Sequence, residues 1–161
     1  DREGVGSLEA AGLSIVPVGG KQSIPLAHAI LTALGIPTFA LFDADSGFEA
    51  RARTNGKEQN KIDEERAGHV AANRSALKYF GRTEEDFPSA VVADNVAVFD
   101  DHLETFLGAD WPEWEPACKA VEAASGISLS KNQLAYRTAT LEAAGTVPSM
   151  LTEILMKAKE V

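Results

Sequence analysis

The chain has 161 residues, of which 45% are hydrophobic and 24% charged, with a formal net charge of −9. This length and composition predict one globular domain with a core of ordinary size. The negative charge argues against nucleic-acid binding through a broad basic surface. No apolar run approaches the ~20 residues of a membrane span, so we expect no membrane association.

Cysteine usage and the first residues bear on the cellular compartment. Cys118 is the single cysteine, which excludes an internal disulfide and a cysteine-based zinc site. The chain opens without the basic segment and apolar core of a signal peptide. These features together predict a cytoplasmic protein.

The first patterned segment is an apolar strand followed by a glycine-rich turn. We expect a strand at Leu13–Val18, followed by Gly19, Gly20 and Lys21 as a tight turn. Backbone N–H groups in such a turn can approach a phosphate, although the spacing is not that of a Walker A loop. A plain turn with a solvated lysine is the alternative.

The central motif is a buried strand that ends in two aspartates. A helix up to Leu34 leads into the apolar run Ile36–Phe42, and Asp43 and Asp45 follow it. Residues two apart in a strand point to the same side, so both carboxylates are expected at the carboxyl end of a central strand, where α/β sheets bind ligands. Two such carboxylates repel each other unless one is protonated or a cation lies between them. Mg²⁺ with oxygen ligands is the simplest solution, and plain helix capping is the alternative.

The segments on either side of these aspartates complete an α/β pattern. The strand at 13–18, the helix after it and the strand at 36–42 predict a parallel β-α-β unit with a right-handed crossover. Residues 48–57 are expected to form a mobile loop that carries Arg51 and Arg53 beside the acidic site. These arginines are candidates for phosphate contacts, or simply part of a solvated loop. A long helix is predicted over 58–80.

A second acidic cluster follows a predicted hairpin. Residues 90–93 and 96–99 flank Asp94-Asn95, which predicts two strands joined by a two-residue turn. One irregular extended segment is the alternative. Glu104 comes shortly afterwards, at a position from which it could point back to the edge of the sheet.

From Trp111 onward the pattern is helical. Helices are predicted over 111–125, over 131–144 and from 148 to the end. Lys131 falls in a first helical turn, where its charge opposes the helix dipole. This placement hints at a special role, with a solvated lysine as the alternative. We therefore divide the chain into an α/β core at 1–108 and a helical portion at 109–161.

In this order the segments resemble the Toprim domain of the OLD (overcoming lysogenization defect) family of ATP-dependent endonucleases. The resemblance covers most of the chain. Its matching segments are Gly12–Lys21, Leu34–Asp45, Leu103–Glu104, Ser130–Asn132 and Val147–Pro148.

The resemblance implies a Rossmann-like α/β fold, with a central, mainly parallel sheet between helices and a helical carboxy-terminal portion. It implies that Asp43, Asp45 and Glu104 bind Mg²⁺ or Mn²⁺, as two ions, for phosphodiester hydrolysis. It places Lys131 near the scissile phosphate. The further candidates for phosphate or DNA contact are Ser46, Lys21, Arg51 and Arg53.

The same resemblance implies partners outside this sequence. DNA would be the substrate, and an ABC-type ATPase domain on the amino-terminal side of the same polypeptide would use ATP. A homodimer would form through that ATPase domain. The Walker motifs of the ATPase are absent from these residues.

One family motif has no counterpart here, and two other functions remain open. The family's first strand ends in Glu-Gly, whereas Glu3-Gly4 has no apolar strand before it. We therefore expect that strand and its Glu to be missing, and the isolated chain to bind metal poorly. A haloacid-dehalogenase-type phosphotransferase would use Asp43 as nucleophile and Asp45 as acid/base, but that motif normally continues with Gly where Ser46 stands. A non-catalytic interaction domain is the other alternative.

Overall fold

A computed structural model describes residues 8, 10–126, 128 and 133–161, with side chains from 136 onward in the last range. These residues form two compact units. The sheet unit comprises residues 15–103 and 153–161. The helical unit comprises 104–152 together with the described residues up to 14.

The sheet unit holds all the strands of the described residues. Its elements are a 3₁₀ turn (Lys21–Ser23), α1 (Ile24–Ala33), β1 (Ala40–Asp43), α2 (Phe48–Thr54), α3 (Gln59–Tyr79), β2 (Val91–Val92) and β3 (Val96–Phe99). The later helices are α4 (Leu103–Asp110), α5 (Trp114–Ser125), α6 (Gln133–Glu142) and α7 (Ser149–Glu160). None of the helices within these described ranges is both long and apolar enough to cross a membrane.

The sheet is small and mixed, with strand order β1-β3-β2. β1 runs parallel to β3, with Ala40 opposite Val96 and Asp43 opposite Phe99. Every side chain of β3 is at most 2% exposed. The α/β class is therefore confirmed, with three strands in the described part of the chain rather than an extended parallel sheet.

The predicted hairpin is confirmed. β2 pairs antiparallel with β3, and the Ala93 N–H donates to the Val96 carbonyl at 2.9 Å. Asp94 and Asn95 are thus the two-residue loop. β3 therefore pairs on both edges, which explains why it forms the centre of the sheet.

The strand predicted at Leu13–Val18 is wrong for this structure. Among the described strands β1 pairs with β3 alone, and its other edge has no partner strand. Ile15 and Val16 are 81% and 62% exposed. A strand needs a neighbour for its backbone N–H and C=O groups, and Pro17 lacks one of these donors. The predicted β-α-β unit is consequently not formed, and β1 begins at Ala40 rather than at Ile36.

The mobile loop predicted at 48–57 is also wrong, because most of it is the helix α2. Phe48 and Ala52 are one helical turn apart, each is 7% exposed, and both pack against Ile62 of α3. Glu49 and Arg53 form an ion pair on the outer face. Two apolar residues four apart stabilise this short helix by packing against a second helix. The polar composition of the rest of the segment made the helix hard to predict.

The long helix α3 is confirmed and forms one wall of the core. Its inner face buries Asn73, Ala76 and Leu77, of which the last two pack with the apolar residues of β1 and β3. The helix ends before Gly81, whose φ of +68° suits glycine. The contact between α3 and the sheet fixes the helix face that borders the end of β1.

The helical unit has its own aromatic core. Trp111 is 1% exposed and its indole N–H donates to the Ala144 carbonyl at 2.6 Å. Trp114 stacks on Tyr136 with ring centroids 5.9 Å apart. Cys118 is buried and free, as its apolar helical setting predicts.

Replacing Ile62 with alanine should lower the free energy of unfolding by about 2–5 kcal/mol, because it opens a cavity where α2 meets α3. Asp63→Ala is the matched control: the next residue along the helix is exposed, and its removal should change stability by less than about 0.5 kcal/mol. Urea denaturation followed by circular dichroism measures both. Equal midpoints for the two variants would contradict the assigned packing.

Candidate metal site

Asp43 and Asp45 lie at the carboxyl end of β1, but strand alternation does not position both. The strand ends at Asp43, and Asp45 has φ +59°, the only left-handed conformation among the described non-glycine residues. Aspartate tolerates this conformation better than most residues do. Both side chains line one open groove of about 660 Å³. A turn therefore brings the two carboxylates to the same groove.

Backbone hydrogen bonds hold this turn against the end of β3. The Ala44 N–H donates to the Phe99 carbonyl at 2.8 Å, and the Ser46 N–H donates to the Asp100 carbonyl at 3.0 Å. The Phe48 N–H then closes the turn on the carbonyl of Asp45 at 3.1 Å. The parallel pairing thus continues past β1 and fixes the backbone that carries both aspartates.

Lys21 is drawn into the acidic pair and is not a solvated lysine. Its Nζ donates to the Asp43 backbone carbonyl at 2.9 Å and to Asp45 Oδ2 at 2.7 Å, and its side chain is 8% exposed. The turn before it requires Gly19 and Gly20, whose φ angles are +79° and +134°. The glycine-rich turn therefore delivers an ammonium group to the aspartates.

His69 is a member of the site that the sequence pattern does not reveal. Its Nδ1 lies 2.9 Å from Asp45 Oδ2, the oxygen that Lys21 also binds. Its ring packs on Phe48 with centroids 4.6 Å apart. No local motif marks this histidine, because its partner lies on another element. His69 lies four residues before Asn73 on α3, and Asn73 also contacts this turn.

The folded protein disfavours the charged form of the Asp43 carboxyl. Burial, followed by repulsion from Asp45, raises the pKa of the Asp43 carboxyl, and the opposing effects of Lys21 and His102 do not cancel this rise. Burial and the neighbouring carboxylate of Asp45 thus disfavour the charged form of Asp43.

The donor chemistry of this pair fits a divalent metal ion. Carboxylate oxygens are the ligands that Mg²⁺ and Mn²⁺ prefer. Within the described ranges, no group of three or more His, Cys, Asp and Glu side chains is arranged to hold a metal ion. Asp43 and Asp45 would therefore supply only part of the ligand set of a cation.

Arg51 is held by Asp101 next to the site. Arg51 Nη2 donates to Asp101 Oδ1 at 2.8 Å, and Nη1 donates to Oδ2. Gly47 leaves no room for a Cβ between these two side chains. Burial alone would raise the pKa of the Asp101 carboxyl, but hydrogen bonds from Arg51 and from the backbone of His102 and Gly47 lower it overall. The pair ties α2 to the loop after β3.

The other predicted site residues have varied surroundings. Arg53 donates to Glu49 at 2.8 Å on the exposed face of α2. Ser46 is exposed directly after Asp45. Glu104 is exposed in the first turn of α4 in the helical unit, and Lys131 lies outside the described residues. Their roles as ligands or phosphate contacts stay predictions.

The pKa values of Asp43 and Asp101 are shifted in opposite directions. Replacing each with asparagine should therefore have opposite effects on the stability of the metal-free protein. Asp43→Asn should raise the free energy of unfolding at neutral pH, because a raised folded pKa confers stability below the ordinary value of 3.8 that is lost as pH rises through the folded pKa. Asp101→Asn should lower it, because a depressed pKa confers stability above 3.8 that is lost as pH falls. Urea titrations with a chelator between pH 4 and 8 measure both. Shifts of the same sign would contradict the assigned electrostatics.

Comparison with known proteins concerns the segment that carries these aspartates. Residues 1–45 match the family model described as "Overcoming lysogenization defect protein-like, TOPRIM domain". No curated protein and no solved structure matches the chain. The matched segment ends at Asp45 and includes the glycine-lysine turn. Toprim domains typically bind divalent metals and process nucleic acids. The segment that carries the Asp-x-Asp motif is therefore similar to the Toprim domain of the OLD family.

Proposed function

We propose that this chain is the catalytic part of a DNA endonuclease or nickase that hydrolyses phosphodiester bonds with two divalent ions. The observation that carries the proposal is the half-buried pair of Asp43 and Asp45 at a strand end, with the pKa of Asp43 raised by burial and by Asp45, in a segment of Toprim type. The small sheet of β1, β3 and β2 would then be part of a Rossmann-like Toprim sheet. The resemblance drawn from the sequence supports the same reaction.

The chemistry divides between bound ions and the residues of this chain. Asp43 and Asp45, with Glu104 as a further ligand, would hold Mg²⁺ or Mn²⁺. When bound, such ions supply charge stabilisation for the attacking and leaving oxygens. Lys21 keeps a positive charge beside Asp45, where it can also meet a phosphate oxygen. Lys131 would neutralise charge that develops on the scissile phosphate.

The acidic composition implies that the main grip on DNA lies elsewhere. A net charge of −9 repels the phosphate backbone except where bound cations reverse it locally. Ser46, Arg51 and Arg53 are proposed as local contacts only. An ATP-using ABC-type domain in the same polypeptide, which would also form a homodimer, is the proposed source of the remaining affinity.

In the full-length protein, Asp43→Asn and Asp45→Asn should each abolish plasmid nicking in Mg²⁺ or Mn²⁺, because each removes a charged oxygen ligand. Asp94→Asn is the matched control, since Asp94 lies on the hairpin turn with its side chain 96% exposed. It should nick like the parent. Nicking at the parental rate by either site variant would refute the assignment.

A small phosphate ester distinguishes the phosphotransferase alternative in the same preparations. A nuclease should leave p-nitrophenyl phosphate intact while it cuts DNA. Turnover of the ester that is lost in Asp43→Asn, without DNA cleavage, would instead favour the haloacid-dehalogenase-type reaction. Absence of both activities in the full-length protein would favour an interaction domain.

Lys131→Ala should slow cleavage by about 10²-fold or more while DNA affinity changes little, because a charge at the scissile phosphate acts mainly in the transition state. One lysine is a small part of the phosphate contacts of a DNA-binding protein. Single-turnover cleavage and fluorescence anisotropy measure the two effects separately. A loss confined to affinity would count against the catalytic role.

A further inference from the structure

Asn73 is the most deeply buried polar side chain near the site. It is 0% exposed, although it lies on the inner face of α3 among residues that form the apolar core. Its Nδ2 donates to the Ala44 carbonyl at 2.9 Å and to the Asp86 carbonyl at 2.7 Å. Both amide protons are thus committed to backbone oxygens. The orientation of the carboxamide follows, since the reverse orientation would set Oδ1 against two carbonyls.

This arrangement leaves Oδ1 of Asn73 without a hydrogen-bond partner, alone among the buried side-chain polar atoms of the described residues. A buried acceptor without a partner costs free energy. An apolar side chain of the same size would fill the same space without that cost. The two hydrogen bonds that Asn73 donates, rather than its packing, therefore account for an asparagine at this position.

The first of these hydrogen bonds fixes the peptide between the two aspartates. The N–H of Ala44 is already held by the Phe99 carbonyl at 2.8 Å, and Ala44 itself is 0% exposed. Asn73 holds the carbonyl on the other side of the same residue. The orientation of that carbonyl sets the peptide plane at which Asp45 enters its left-handed conformation. The direction of the Asp45 side chain relative to Asp43 depends on this plane.

The second hydrogen bond anchors the asparagine itself. The Asp86 carbonyl belongs to the segment between α3 and β2, and the Asp86 side chain pairs with Arg74, the neighbour of Asn73 on α3. The carboxamide is therefore held between two backbone segments.

We propose that Asn73 is a positioning residue that sets the spacing of the Asp43 and Asp45 carboxylates for a divalent cation by holding the Ala44 carbonyl. The inference rests on the proposed metal-dependent function. It assigns to α3 a direct part in the geometry of the Asp-x-Asp motif. Loss of such an outer-shell contact typically weakens metal binding or activity by 10–100-fold.

The test replaces Asn73 with leucine in the full-length protein, which removes both donors at similar volume. Leu77→Ala is the matched control, because Leu77 lies one turn further along α3, is 2% exposed and packs in the apolar core cluster. Mn²⁺ binding is followed by electron paramagnetic resonance and calorimetry. The Mn²⁺ concentration for half-maximal nicking and the KM for DNA are measured in parallel.

Asn73→Leu should raise the Mn²⁺ dissociation constant about 10-fold or more and leave the KM for DNA unchanged. Leu77→Ala should lower thermal stability with the parental Mn²⁺ constant. Equal Mn²⁺ constants in Asn73→Leu and the parent would overturn the inference, as would equal losses in both variants.

A second variant of Asn73 keeps the test decisive if the first does not fold. The unmutated parent protein distinguishes a failure of the proposed function from a failure of the Asn73 inference. If Asn73→Leu does not fold, Asn73→Ser, which keeps one shorter donor, is measured in the same way; failure of both to fold would assign Asn73 to the core and overturn the inference. A parent that neither binds Mn²⁺ nor nicks DNA would overturn the proposed function itself. A parent that does both, beside an unchanged Asn73→Leu, would overturn this inference alone.

Discussion

The carboxylates of Asp43 and Asp45 meet at the end of β1, where burial and their mutual repulsion disfavour the charge of Asp43. Lys21 reaches the pair from the glycine turn, and His69 reaches the same Asp45 oxygen from α3. Even so, burial and Asp45 keep the pKa of Asp43 raised. The charged form of Asp43 is therefore disfavoured in spite of these neighbours, a condition that a bound cation would relieve.

Three structural costs coincide at this turn. Asp43 has an unfavourable charge, Asp45 has a left-handed backbone, and Asn73 has a buried acceptor without a partner. Each is of a kind that persists only where the surrounding structure imposes it. Their clustering at the end of one strand separates this turn from an ordinary helix cap, for which none of the three is needed.

The basic residues beside the site have different surroundings. Arg51 is held in a two-pronged pair with Asp101 that ties α2 to the sheet, whereas Lys21 binds the aspartates themselves. A guanidinium held in this way has a fixed orientation, because its planar donors match the two oxygens of a carboxylate. A lysine ammonium has no fixed geometry, so it can exchange one oxygen partner for another. Lys21 thus acts on the aspartates directly, whereas Arg51 holds the helix beside them.

Local patterns alone determined the hairpin at β2 and β3 and the helix α3, because each depends on neighbours close in the chain. The apolar run before Asp43 also predicted the end of a strand there, although that strand forms only by pairing with the distant β3. Tertiary structure decided the rest. Leu13–Val18 reads as a strand but lacks a paired edge, and a strand exists only where another backbone accepts its hydrogen bonds. The roles of His69 and Asn73 depend on partners from distant elements. No spacing in the sequence encodes such contacts, since only packing of α3 on the sheet creates them.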